Sequence, residues 1–217
     1  MTRALEAELR AGLDALALAL NDAQVAALLD YIALIQKWTK VYNLTAVREP
    51  RDMLTHHVLD SLAVVRPLRQ QLAALGLGAA VRVLDVGAGA GLPGVVLAIC
   101  CPEMVVHCVD TVAKKAAFVQ QVAVSLKLAN LRGIHARVES LTEPYDVVCS
   151  RAFASLADFT QWSVAALAPA GVWMAMKGKH PEAELVSLAP DVAVFHVEPL
   201  LVPGLDAERC LVWMRRA

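Results

Sequence analysis

Val81-Arg82-Val83-Leu84-Asp85-Val86-Gly87-Ala88-Gly89-Ala90-Gly91-Leu92-Pro93-Gly94 is the stretch whose reading decides the fold. Its mainly apolar first half reads as a buried β-strand, and glycines at 87, 89 and 91 form a turn with no Cβ between backbone and ligand. Val95-Val96-Leu97-Ala98 then opens a helix. A strand, a glycine turn and a helix in this order suit a doubly wound α/β sheet, whose ligands bind at the carboxyl ends of the strands. Asp85 bears on the kind of ligand. Phosphates want N–H groups and positive charge, so a carboxylate beside the turn favours a cationic guest.

Downstream of this stretch the pattern alternates. Strands are expected at 104–110, 131–138, 145–150 and 172–176, with helices at 111–129 and 156–168 between them and a Pro169-Ala170-Gly171 turn. Two further strands, 192–197 and 210–214, have no helix between them. The expectation is a mostly parallel sheet with an antiparallel hairpin at one edge. Upstream, residues 1–70 read as a helical layer and 71–217 as the ligand-binding domain. Asn21-Asp22 can cap a helix whose apolar stripe is Val25, Leu28, Leu29, Ile32, Ile35 and Trp38. Pro50 suits the first turn of another helix, burying Met53, Leu54, Val58, Leu62 and Val65, and an earlier helix spans about 5–20.

The chain has 217 residues, 58% of them hydrophobic, which excludes disorder and permits a large core. The uncharged runs 86–102 and 159–176 are broken by glycine and proline, so neither is a clean membrane helix. The acidic start, Met1-Thr2-Arg3-Ala4-Leu5-Glu6, lacks a leader pattern, and a cytoplasmic, monomeric protein is expected. Five cysteines show neither CxxC nor zinc spacing and read as buried free thiols; no metal is expected. A net charge of −1 confines any RNA-binding surface to a local patch. Between Lys37 and Arg69, six Lys/Arg stand against three acids, either a solvated face or a contact to phosphate backbone.

Two cofactors compete for the glycine turn. Gly87-x-Gly89, with Asp110 nineteen residues beyond Gly91, would suit a nicotinamide dinucleotide. Leu92 replaces the third fingerprint glycine, however, and Asp85 disfavours a pyrophosphate. S-adenosylmethionine, with its sulfonium and ammonium, fits better. Asp110 at the end of the second strand serves either ligand, because both carry an adenosine ribose with two hydroxyls. N–H groups over 91–95 are candidates for the methionine carboxylate, with Asp85 toward the ammonium.

Four stretches together carry a family resemblance: Val83 to Gly94; Asn43-Leu44-Thr45-Ala46 with His57-Val58-Leu59-Asp60-Ser61-Leu62; Ser150-Arg151-Ala152-Phe153-Ala154; and Leu205-Asp206-Ala207-Glu208-Arg209. From about Trp38 to the C-terminus the chain resembles the bacterial small-subunit ribosomal RNA guanine-N7 methyltransferases, long called the glucose-inhibited division protein B family. The resemblance implies a class I S-adenosylmethionine-dependent methyltransferase sheet with an N-terminal helical layer for RNA recognition. It implies methyl transfer to N7 of one guanine, position 527 in the usual count, of 16S rRNA in the small subunit or its assembly intermediate. Carried over by motif, cofactor contacts fall on Gly87, Leu92, Val138, Glu139 and Arg151, beside Asp85, Gly89 and Asp110 from the residue reading; Arg151 is also the candidate catalytic residue. Ala90 stands where family members often have proline, Lys114-Lys115 where Lys-Arg is common, and Cys210 where histidine is frequent.

Guanine N7 offers an in-plane lone pair and no proton, so its methylation needs positioning and exclusion of water, with no general base. Amine methylation would want an Asn/Asp-Pro-Pro-aromatic run where Cys149-Ser150-Arg151-Ala152 stands, and Cys149, within an apolar strand, reads as a core thiol rather than a C5 nucleophile. Another nucleic acid or a small molecule as methyl acceptor stays open on residues alone. Arg151 could instead pair with Glu139 or Asp146, and Phe153 could stack on a base or pack a helix. Lys177-Gly178-Lys179-His180 and Arg209 are candidates for phosphate contact.

Overall fold

The computed structural model describes residues 2–78 and 80–217. Seven strands, β1 (Arg82–Val86), β2 (Val105–Asp110), β3 (Leu131–His135), β4 (Tyr145–Arg151), β5 (Leu167–Lys177), β6 (Val192–Pro199) and β7 (Cys210–Arg216), form one sheet. Their order is β3-β2-β1-β4-β5-β7-β6. β1 to β5 pair in parallel, and β7 pairs antiparallel with both β5 and β6. The expected edge hairpin is there, with β7 slotted inside so that β6 takes the edge. β5 begins at Leu167, five residues before the expected Val172, and its pairing with β4 is irregular between Tyr145 and Val147.

Side chains alternate across the pleat, and the sheet is buried on both faces. Val83, Val106, Cys108, Val147, Cys149, Met174 and Trp213 point to one face, where they meet α6 (Gly94–Cys100), α7 (Ala113–Ser125) and the N-terminal helices. Leu84, Val86, Val109, Val148, Trp173 and Val212 point to the other, toward α8 (Leu156–Ser163). This explains why the strands read as continuous apolar runs without alternation.

The N-terminal layer comprises α1 (Thr2–Ala15), α2 (Asp22–Tyr42), α3 (Pro50–Met53), a π-helical segment (Leu54–Leu59), α4 (Asp60–Leu62) and α5 (Val65–Ala74). Asn21 caps α2 reciprocally: it accepts from the Gln24 N–H at 2.9 Å, and Gln24 Oε1 accepts from the Asn21 N–H at 3.1 Å. α1 stops at Ala15, short of the expected 20, with Ala17 left-handed (φ 53°). Met53, Leu54, Val58, Leu62 and Val65 are buried as their spacing predicted. The helix carrying them is nevertheless not continuous, because its middle widens into the π turn and it breaks after Leu62. π turns inside α-helices recur at functional sites.

Two contacts fasten this layer to α6 and to the glycine turn. Gln24 Nε2 donates to the Ile99 carbonyl at 2.9 Å, and the fully buried Tyr31 hydroxyl donates to the Ala90 carbonyl at 2.6 Å. Tyr31→Phe removes that donor and strands a buried carbonyl. Its expected effect is a loss of about 1–3 kcal/mol, read as a lower urea midpoint with an unchanged slope.

Candidate active site

The carboxyl ends of β1, β2 and β4 converge on a cavity of about 380 Å³. Its walls include Gly87, Asp110, Val138, Glu139, Phe153 and Trp162. Four sequence-predicted residues therefore share one cavity: Gly87, Asp110, Val138 and Glu139. Gly87 is left-handed (φ 65°), and a Cβ there would collide with the Phe153 ring, so only glycine lets Phe153 close over the turn. Phe153 in turn meets Phe159 and Trp162 edge-on at 6.3 and 5.8 Å.

Asp110 organises the cavity's other side. One oxygen accepts from the Gly89 N–H at 3.0 Å and the other from the Val112 N–H at 2.8 Å. A carboxylate has about four acceptor sites, so capacity remains for two ribose hydroxyls. Gly89 thus acts behind Asp110. Glu139 pairs at the surface with Arg137 (2.7 Å), which holds its carboxyl below the usual range. Val109, Val112 and Ala136 supply apolar wall. This set fits S-adenosylmethionine: a ribose acceptor, an apolar slot for adenine and a glycine at the closest approach.

Asp85 and Leu92 are elsewhere. Asp85 is wholly inaccessible and accepts from the Gly94 N–H at 2.8 Å, while its second oxygen has no partner. Cys108 and Cys149 flank it in the sheet register. Burial pushes its carboxyl up to about 7. The structure thus makes Asp85 a fastener beneath the turn, away from the cavity wall where the expected ammonium contact would need it. The N–H groups of Gly91, Leu92 and Val95 are spent on Ala88 and Gly91 carbonyls, so the expected carboxylate cradle over 91–95 is not offered. Leu92 is buried against the core.

Arg151 ends β4 one residue before the left-handed Ala152 (φ 51°); it sits beside the lining residues Ala152 and Phe153 and is not itself part of the cavity wall where it was expected. Neither Glu139 nor Asp146 is its partner. Its Nη1 donates to Asp60 Oδ2 and to the His56 carbonyl, both at 2.8 Å. Arg209 Nε donates to the other Asp60 oxygen, also at 2.8 Å. Asp60, which the sequence marked only within the His57–Leu62 motif, is thus the hub that joins the two arginines. An acid flanked by Leu59, Leu62 and the buried Ser61 was the available signal. His57 Nε2 lies 2.8 Å from Thr45 Oγ1; burial beside Arg151 lowers its pKa to about 4, leaving it neutral near pH 7. Lys177 is committed to Glu184 (2.8 Å) and the Ala154 carbonyl. Among the basic residues of 37–69, Arg48, Arg51 and Arg69 bond within the protein, while Lys37, Lys40 and Arg66 have no ion-pair partner among the described residues. No group of residues suited to a metal ion occurs among the described residues, and no described helix is long and apolar enough to cross a membrane.

Residues 24–212 match the family model GidB, described as rRNA small subunit methyltransferase G. Two relatives bearing the name ribosomal RNA small subunit methyltransferase G are closely similar. The one from Albidiferax ferrireducens is 68% identical over 99% of both chains, and the one from a Polaromonas species is 70% identical over 97% of this chain and 93% of its own. Solved structures share the fold at low identity. TrmN from Thermus thermophilus has a TM-score of 0.56 at 18% identity over 76% of this chain and 53% of its own. An S-adenosylmethionine-dependent methyltransferase from Aquifex aeolicus has a TM-score of 0.53 at 17% identity, covering 73% and 93%.

The carboxyl of Asp85 generates a pH test. Its pKa is about 7 in the fold against 3.8 for an unperturbed aspartate. Between these values the folded chain keeps a proton that the unfolded chain releases. The contribution to stability is therefore full below about pH 4 and is lost as pH rises through about 7. Unfolding free energies of wild type minus Asp85→Asn should fall over that window by an amount on the order of a few kcal/mol, measured by urea denaturation at each pH; a flat difference would remove the buried-acid assignment.

Proposed function

Because the chain belongs to the rRNA small subunit methyltransferase G family, an S-adenosylmethionine-dependent group of enzymes, we propose that it methylates N7 of guanine 527 in 16S rRNA by direct in-line transfer without a general base. The family match removes the dinucleotide reading of the glycine turn. The observation that carries the finer proposal is the character of the rim. It presents Arg151, Arg209 and a spoken-for Asp60, while the one carboxyl with a pKa near 7, Asp85, is sealed beneath the turn. Two guanidiniums anchored on one carboxylate supply positioning rather than proton transfer, which suits an acceptor that carries no proton, as guanine N7 does.

When bound, S-adenosylmethionine supplies an electrophilic methyl group on a sulfonium. The chain's own residues then have three tasks. Asp110 accepts from the ribose hydroxyls while Gly89 and Val112 N–H groups hold its carboxylate still. Phe153 and Trp162 wall the cavity and keep water from the reacting atoms. Gly87 lets backbone approach most closely. In this reading Arg151 helps to orient the reactants at the end of β4, and Glu139 and Val138 bound the adenosine side.

The N-terminal layer is where RNA recognition is placed, with the unpaired Lys37, Lys40 and Arg66 as candidate phosphate contacts. N7 faces the major groove, which in A-form RNA is too narrow for side chains, so the target guanine should lie in a loop or an irregular fold. Cytoplasmic action on the small subunit or an assembly intermediate, as a monomer, completes the reading.

Two measurements test it. Mass mapping of 16S rRNA from a deletion strain should show a lost N7-methylguanine, restored by the wild-type gene and not by Gly87→Asp, whose side chain meets Phe153. Methylation persisting in the deletion strain overturns the assignment. In calorimetry, Asp110→Ala should weaken S-adenosylmethionine binding by roughly 10–100-fold; unchanged affinity would remove Asp110 from the ribose.

A further inference from the structure

The buried carboxylate on the rim asks for a reason. Asp60 opens α4, Arg151 closes β4 and Arg209 immediately precedes β7, so partners 91 and 149 residues away in sequence meet at one side chain. Only 3% of the Asp60 side chain is accessible, against 20% for Arg151 and 24% for Arg209. With two guanidiniums on one carboxylate the trio carries a net charge of +1. The second arginine leaves a cation in excess.

The guanidinium donors are only partly used. Arg151 spends Nη1 on Asp60 and the His56 carbonyl. Arg209 spends Nε on Asp60 and Nη1 on the Glu208 carbonyl. Arg151 Nε and Nη2, and Arg209 Nη2, have no hydrogen-bond partner among the described residues, and none of these atoms is among the buried unsatisfied ones, so they face solvent. Arg151 adjoins the cofactor-cavity wall formed by Ala152 and Phe153, whereas Arg209 lines a second cavity of about 670 Å³ with Gly178, His180, Leu200 and Leu205. Asp60 thus ties a guanidinium on the second cavity to one beside the edge of the first.

We propose that Asp60 is a positioning residue for methyl transfer, holding Arg209 on the second cavity so that it grips a backbone phosphate of the substrate RNA beside the target guanine, while its other oxygen keeps Arg151 at the end of β4. Guanidinium geometry suits phosphate oxygens, and a side chain already pinned at one end loses less freedom on binding. Phosphate is a better partner than the guanine ring. The ring becomes cationic as N7 takes the methyl group, and an arginine on its O6 would oppose that charge. The cofactor's carboxylate is the other oxyanion within the chemistry of this site, and the test separates the two.

This inference rests on the rRNA methyltransferase reading. The assay uses the full chain with unmethylated 30S subunits prepared from the deletion strain. KM for subunits, kcat and the salt dependence are measured, with S-adenosylmethionine affinity read by calorimetry. Arg209→Ala leaves Asp60 paired with Arg151 and should fold. It should raise KM for subunits about tenfold, reduce the slope of log affinity against log salt by about 0.7–1, and leave cofactor affinity within about twofold. Asp60→Asn should raise KM in the same direction through a loosened Arg209 while preserving more of the salt slope. Arg209→Lys should retain the slope and recover part of the affinity. Unchanged KM and slope in Arg209→Ala overturn the proposal, as does weakened cofactor binding with KM for subunits unchanged, which would assign the oxyanion to the cofactor. A wild-type enzyme inert on these subunits would instead overturn the functional reading, so the two failures are distinguishable.

Discussion

The buried hydrogen bond from the Gly94 N–H to Asp85 is the constraint from which the site follows. It joins the first turn of α6 to the carboxyl-terminal part of β1. A Cβ at residue 94 would collide with Cys108 Sγ and crowd Asp85, so only glycine lets the helix come this close to the sheet. With strand and helix fixed at that separation, residues 87–93 must turn sharply. Left-handed glycines at 87, 89 and 91 make the turn possible. The cavity opens where the backbone leaves the sheet, beside the ends of β2 and β4.

That geometry is reinforced from outside the α/β sheet. Tyr31 and Gln24, both on α2, bond to carbonyls of the turn and of α6. Residues of α1, α2 and the π-helical segment share one apolar cluster with the strand face that carries Val83 and Val147. The layer assigned to RNA and the turn assigned to the cofactor are thus in direct contact. Displacement of α2 would be felt at Ala90 through a single buried hydroxyl.

Much of this was legible in the chain. The strand–turn–helix, the parallel order and the antiparallel C-terminal pair came from periodicity and glycine placement, because buried parallel strands and tight turns tolerate few residue types. Gly87, Asp110, Val138 and Glu139 were assigned to one site, and they line one cavity. Asp85 shows the limit: its position beside the turn was readable, but its direction depended on pleat parity, which sends it toward Cys108 and Cys149 rather than toward the ligand. The π-helical turn was equally invisible, since the spacing of Leu54, Val58 and Leu62 is compatible with an ordinary helix.

The sequence by itself determined the class of fold and the strand ends at which the cavity opens, because each depends on local residue type and short spacing. Only the tertiary structure decided what Arg151 faces. Arg151 and Arg209 lie 91 and 149 residues from Asp60, and nothing in local pattern sets their meeting. It is set by the packing of the N-terminal helices against the carboxyl end of the sheet, which brings one buried carboxylate within 2.8 Å of two arginines.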